Sequence, residues 1–233
     1  MDRQALVVGA SGGIGRGIAE RLAGDGWRIL AHGRRRDALE KTLEAVEAAG
    51  GSAKSYTAEL ADADQVAGLA GWAVSAGRLD AVIYAAGGGR SIDTGPECVG
   101  EWNRTLATIL HAPMQLTALT LPAVRSTRGA YLYICGMYAK IGMARMAGHC
   151  AGRHGLEGFA KALFEEVRED GVRVSLIHPG FVNTPLTASD RVDPDRMIQI
   201  SDIAEMAALA VSLPDNACVV EMTVRPQRSP YRT

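Results

Sequence analysis

Short runs of consecutive apolar residues alternate along the chain with longer stretches in which apolar positions recur every three to four residues. The short runs read as strands buried on both faces, and the longer stretches as helices that lay one side on a sheet. Ala5–Gly9 is the first such strand and Gly13–Ala23 the first helix, with Ile14, Ile18 and Leu22 on one face. Arg28–His32 predicts a second strand and Asp37–Ala49 a second helix, which Gly50-Gly51 ends because glycine accepts the left-handed turn past a helix terminus. Further strands are expected near Ala53–Ala58, Asp80–Ala85, Ala130–Cys135, Val172–Ile177 and Cys218–Val224. Helices fall between them at Asp62–Ala76, Val99–Leu121, 148–170 and Ile203–Leu213. This alternation, unbroken by repeat or linker over 233 residues, predicts an α/β fold: one domain, 1–233, with about seven parallel strands doubly wound and helices on both faces. Residues 185–200 (PLTASDRVDPDRMIQI) lack clean periodicity and are the candidate substrate lid.

Charge and composition narrow the partners. A formal net charge of −1, with no basic stripe, argues against nucleic acid. No apolar run approaches the ~18 residues of a membrane span, and strand-like sequence beginning at Ala5 leaves no room for a signal peptide. The four cysteines (98, 135, 150, 218) stand singly, without C-x-x-C or Cys/His spacing. Reduced thiols in a cytoplasmic protein without a metal site are therefore expected.

The chemistry begins between the first strand and the first helix, at Gly9-Ala10-Ser11-Gly12-Gly13-Ile14-Gly15. Glycines there let the chain turn sharply and bring backbone N–H groups up to a pyrophosphate at a helix N-terminus, the Rossmann-like arrangement. The second strand runs into Gly33-Arg34-Arg35-Arg36, with no carboxylate until Asp37. A ribose 2′-hydroxyl calls for an acidic residue at this point and a 2′-phosphate for arginine, so Arg34 and Arg35 favour NADP(H) over NAD(H). Three arginines at a helix start also run against the helix dipole, which a bound phosphate would explain.

The glycine spacing, G-x-x-x-G-x-G, resembles that of the short-chain dehydrogenase/reductase family, with Val8 where that family usually has Thr. The resemblance covers nearly the whole chain. It implies that Gly9, Ser11, Gly13, Ile14 and Gly15 cradle the coenzyme phosphates. Glu59-Leu60 falls where the family sets an acidic-then-apolar pair beside the adenine. Tyr84-Ala85-Ala86-Gly87 matches its N-N-A-G strand end with both Asn lost, leaving Ala86 and Gly87 to line the coenzyme by backbone. Pro179, Gly180, Val182 and Thr184 match the P-G-x-V-x-T element that meets the nicotinamide amide, and Leu213-Pro214…Glu221-Met222-Thr223-Val224-Arg225-Pro226 resembles the ending of the 3-hydroxy-acid/serine dehydrogenase branch.

The family's catalytic tetrad is changed at every position. Gly136 stands at the Ser position, Ile109 at the Asn position, His149 at the Tyr position and Arg153 at the Lys position. His149 and Arg153 are four residues apart, hence on one helix face. A Tyr with a pKa of about 10 needs a neighbouring cation to become a useful acid or base, whereas a His of about 6.5 does not. His149 is thus the candidate general acid–base. Arg153 is the candidate to hold the ribose hydroxyls and to bias His149 towards its neutral form. Tyr138, two residues past the vacant Ser position, is a second candidate for the missing hydroxyl; His111, His154 and His178 are read as structural.

The leading reading is an NADP(H)-dependent oxidoreductase acting on a small carbonyl or hydroxyl compound. Two alternatives stay open: non-redox chemistry (dehydration, isomerisation or cyclisation) with His149 as base, or a catalytically inactive partner of an active homologue. The resemblance implies a homodimer or homotetramer through helices 99–121 and 148–170, or a hetero-oligomer in the last case.

Overall fold

The computed structural model describes residues 3–232. Seven strands form one sheet: β1 Gln4–Val8, β2 Arg28–Gly33, β3 Ser52–Thr57, β4 Ala81–Tyr84, β5 Ala130–Ile134, β6 Arg173–Pro179 and β7 Glu221–Val224. Their order is β3-β2-β1-β4-β5-β6-β7 and every neighbouring pair is parallel. Seven helices cover it: α1 Gly13–Gly24, α2 Arg36–Ala48, α3 Ala63–Ser75, α4 Val99–Leu106, α5 Ala112–Thr127, α6 Ala147–Val167 and α7 Ile200–Ser212. The alternating strands and helices of the sequence are thus a doubly wound α/β sheet.

Because both faces of the central strands are covered, β1, β4 and β5 are buried at every residue. Alternate side chains feed two cores. Ala5, Val7, Ile83, Leu132 and Ile134 join α1 and α7 on one face. Leu6, Val8, Tyr84, Tyr131 and Tyr133 join α3, α5 and α6 on the other. The two buried tyrosines of β5 place their hydroxyls against α5, Tyr131 2.9 Å from Thr120 Oγ1 and Tyr133 2.7 Å from Thr117 Oγ1, so neither polar tip is left unpaired. Strand order turns back between β1 and β4; their diverging C-terminal ends open the crevice in which such sheets bind ligands.

Several element boundaries differ from the sequence reading. The helix expected over Val99–Leu121 is interrupted by a π-helical turn at Ala107–His111, and it continues through Pro122 to Thr127. The extra residue of a π-turn misaligns the backbone ladder, and Tyr84 Oη donates to the Thr108 carbonyl at 2.6 Å. The helix over 148–170 stops at Val167 and gives way to a 3-10 turn, while the last strand is shorter than expected, 221–224. Residues 185–200 are not uniformly irregular. Val182 bridges to Ile198, Pro194–Arg196 form a 3-10 turn, and Ile200 already begins α7. Periodicity alone misses these because short turns and single bridges carry no repeat.

His32 sits at the end of β2, 1% exposed, with its Nε2 3.1 Å from the Ala58 carbonyl. Burial drives its pKa down to about 4, with only the Ala58 contact and Glu59 opposing. A histidine whose folded pKa lies below its unfolded value binds its proton only in the unfolded chain between the two. Its stabilisation is therefore complete above about pH 6.5 and is lost as pH falls towards about 4, some ~3 kcal/mol in all. Thermal melts from pH 7 to 4.5 should show the wild type losing stability steeply and His32→Gln, which keeps a donor for Ala58, losing less. Parallel slopes for the two proteins would refute this.

Candidate functional site

The motifs separated in sequence meet at the C-terminal ends of β1, β4, β5 and β6. A Cβ on Gly9, whose φ is +87°, would lie 2.8 Å from the Ala86 backbone. A Cβ on Gly15 would strike the Gly9 carbonyl, and one on Gly13 would meet Thr184 at 3.2 Å. A Cβ on Gly33 would likewise lie 2.6 Å from Ser11 Oγ. These glycines are required by close approach, and together they knit the Gly9–Gly15 loop to Ala86, Gly33 and Thr184. At the start of α1, Gly12 caps without a side chain and the first turn holds no acidic residue. The first N–H groups of that helix, Gly13, Ile14 and Gly15, are thus open to an anion.

Arg34 and Arg35 stand at the rim of this crevice. Arg34 is exposed and makes a loose 3.4 Å ion pair with Glu59, while Arg35 is the N-terminal cap residue of α2 and offers no side-chain cap. Leu60 is buried behind Glu59, and Val182 is buried after β6. Pro179 ends β6 and Gly180 donates its N–H to the Val224 carbonyl at 2.8 Å, which fixes this turn against β7. Among the described residues, no group of three His, Cys, Asp or Glu is placed to hold a metal ion.

His149 and Arg153 lie in the first two turns of α6, both buried, at 8% and 6% exposure. Arg153 Nη1 donates to the Ile134 carbonyl at 2.8 Å, its Nε has no partner, and Nη2 lies 2.7 Å from where a Cβ on Gly87 would be. It makes no ion pair among the described residues, so a full positive charge sits unpaired beside Gly87, just past the end of β4. Burial lowers its pKa, but a guanidinium stays charged. His149 is pressed against the Gly88-Gly89 backbone: a Cβ on Gly89 would run into Nδ1, which has no hydrogen-bond partner. Burial foremost and the Arg153 charge second hold the His149 pKa down to about 4, with the Gly88 backbone opposing. The ring is neutral at pH 7.

Tyr138 packs edge-on to His149, ring centroids 4.9 Å apart, while its hydroxyl points to Met143 Sδ at 3.4 Å. Burial, then Cys150 and Tyr231, raises its pKa. Gly136, at the expected Ser position, has φ +71° and ψ 172°, a conformation essentially confined to glycine. Its carbonyl faces His178 Nδ1 at 3.2 Å. Ile109 is fully buried in the π-turn, and a Cβ on either Gly87 or Gly152 would sit 2.6 Å from it. Cys135 is held protonated by burial, its pKa pushed up to about 12. His154 Nδ1 lies 2.9 Å from the Cys150 carbonyl, and buried His178 lies 3.7 Å from Glu221, in a cluster with Lys140, Glu157 and Lys161.

Several contacts escape the motif reading. Gly89 makes the room that His149 occupies, and the Gly87-Gly88-Gly89 run is the signal that points to it. Ile200, the first residue of α7, packs on Gly13 and Gly17 in the first turns of α1. Tyr231 reaches back to Phe181 and Val192, with nothing in the local sequence to announce it.

Comparison with known proteins agrees with this geometry. The profile described as short chain dehydrogenase matches residues 3–195. A putative ketoacyl reductase of Streptomyces coelicolor is 30% identical over 235 residues, covering 89% of each chain. A cyclohexanol dehydrogenase of an Acinetobacter species is 28% identical over 221 residues, with 91% of this chain and 88% of that one covered. Among solved structures, a metagenomic short-chain oxidoreductase in complex with NADP superposes with a TM-score of 0.83 at 31% identity, covering 97% of this chain and 98% of the other.

Proposed function

The chain belongs to the short-chain dehydrogenase family, and from that premise we propose that it is an NADP(H)-dependent oxidoreductase of a small carbonyl or hydroxyl compound, working through an altered active site. The observation that carries the reading is the unpaired guanidinium of Arg153, buried against Gly87 with an orphan Nε. A buried charge without a partner is costly, and ribose hydroxyls at the end of β4 would satisfy its free donors. The uncapped N-terminus of α1 suits the pyrophosphate, and Arg34 and Arg35 suit a 2′-phosphate. When bound, the coenzyme supplies or receives hydride at its nicotinamide. His149 exchanges the proton of the substrate oxygen, and Arg153 orients the ribose and keeps His149 neutral. The solved relative with NADP at 31% identity supports the same choice of coenzyme.

One observation favours a second reading, a catalytically inactive partner. Gly136 is held in a glycine-only conformation and Ile109 is fully buried against Gly87 and Gly152, so the losses at the Ser and Asn positions are built into the packing. Coenzyme titration followed by turnover separates the two.

Titration with NADPH and NADH, followed by nicotinamide fluorescence, is expected to show NADPH bound more tightly. Arg34→Ala combined with Arg35→Ala should weaken NADPH by about 10–100-fold, as loss of charge-assisted hydrogen bonds of roughly 1.5–3 kcal/mol implies, and leave NADH unchanged. Failure of both coenzymes to bind would sink the oxidoreductase reading.

A further inference from the structure

We infer that Glu59, two residues past the end of β3, is a specificity-determining residue for the coenzyme: its carboxylate competes with the 2′-phosphate of NADP(H) for Arg34 and so narrows the preference for NADP(H) over NAD(H). The inference rests on the coenzyme reading above, from which it takes the assignment of Arg34 and Arg35 to that phosphate.

Of the three arginines that follow β2, only Arg34 has an acidic partner among the described residues, Glu59 Oε2 at 3.4 Å. The acid and the arginine lie just past the ends of two paired strands, where Gly33 stands opposite Thr57 in the ladder. Glu59 is pinned there. Its N–H donates to Gln65 Oε1 at 2.8 Å, and Gln65 Nε2 donates to Asp62 Oδ2 at 2.8 Å. Asp62 in turn caps α3 by accepting from the Asp64 and Gln65 N–H groups. The Glu59 carbonyl accepts from the Asp62 N–H at 3.1 Å, and Oε1 accepts from the Ala61 N–H at 3.3 Å. One carboxylate oxygen is thus tied to the turn while the other is directed at the guanidinium.

An ion pair this open, with side chains 71% and 44% accessible, adds little to folding. Its weight falls on binding instead. A phosphate monoester carries nearly two negative charges at pH 7. To engage it, Arg34 must either give up Glu59 or draw a carboxylate against a dianion, and both oppose affinity. NADH, which has a hydroxyl at that position, meets neither penalty. Arg35 and Arg36 make no ion pair among the described residues, so the preference for NADP(H) is narrowed and not reversed.

A double-mutant cycle on coenzyme affinity, read by nicotinamide fluorescence, tests the inference. Glu59→Gln keeps the side-chain length and an acceptor for the Ala61 N–H and removes only the charge. It should tighten NADPH about three- to fivefold, the upper part of the range for an exposed ion pair, and leave NADH unchanged. In an Arg34→Ala background nothing draws the carboxylate to the phosphate, and the gain should vanish. Equal changes for NADPH and NADH would make Glu59 a contact to the part the two coenzymes share, and weaker NADPH binding would make it a support for Arg34. Either result overturns the inference, as does an unchanged NADPH affinity or a gain that persists with Arg34→Ala. Should Arg34→Ala alone leave NADPH affinity unaltered, the assignment of the 2′-phosphate to that arginine fails, and the inference with it.

Discussion

Replacing His149 by Ala lowers turnover about 10²–10⁴-fold, the usual worth of a positioned acid–base group, and leaves NADPH affinity nearly unchanged. The second half of this expectation discriminates. His149 packs on Gly88-Gly89 and Tyr138, whereas the groups suited to the coenzyme are Arg153, the α1 terminus and the arginines after β2. A change that weakened NADPH as much as turnover would make His149 a packing residue. Tyr138→Phe is the companion measurement: its hydroxyl is directed at the Met143 sulfur, so its removal should cost little. If His149→Ala kept full activity, the proton would have to come from water or Tyr138. A wild type that binds NADPH but shows no turnover on any carbonyl or alcohol would establish the inactive partner. Restoring the family residue with His149→Tyr is not expected to rescue or improve activity. The ring already crowds Gly89, and neither the serine nor the lysine that makes a tyrosine effective is present.

The sheet and its helices were legible because parallel strands covered on both faces leave uninterrupted apolar runs, as in Ala5–Gly9 and Ala130–Cys135. The glycine loop was legible because close backbone approach demands glycine: Gly9, Gly13 and Gly15 could be read as a loop and are found knitted to Ala86 and Thr184. What happens around the altered tetrad was not legible. Ile109 in place of Asn reads as one lost polar group, yet the structure shows a repacked unit in which Gly87 and Gly152 yield their side chains to it. Tyr84, at a lost Asn position, likewise spends its hydroxyl on the Thr108 carbonyl of the π-turn. Gly136 reads as a deleted hydroxyl, but its φ of +71° means that a serine placed there would be strained however much space it found. Long-range contacts such as Tyr231 on Phe181 leave no local trace, because they depend on where the tail returns and not on any periodicity.

The two reaction directions should depend on pH differently, oxidation hardly at all and reduction steeply, and this follows from the same buried ring. His149 has its pKa depressed to about 4, by desolvation first and by the Arg153 charge second. Accepting a proton from an alcohol requires the neutral imidazole, which is fully formed above about pH 5, so the oxidation rate should be flat from there through pH 8. Donating a proton to a carbonyl requires the imidazolium, whose population falls tenfold for each unit above its pKa. The reduction rate should therefore drop about 10³-fold between pH 5 and 8 when proton transfer limits it. Removing the cation with Arg153→Gln should raise the His149 pKa, but not to its ordinary value, since burial is the larger cause and remains. Steady-state profiles in both directions, with imidazole NMR to follow the titration of His149 itself, make the test. A reduction rate independent of pH across this range, or a His149 pKa near 6.5, would contradict the assignment. The expected asymmetry has a functional consequence. At neutral pH the site holds a base and almost no acid, so proton transfer at His149 favours oxidation of a hydroxyl compound, and efficient reduction would require substrate binding to raise the His149 pKa.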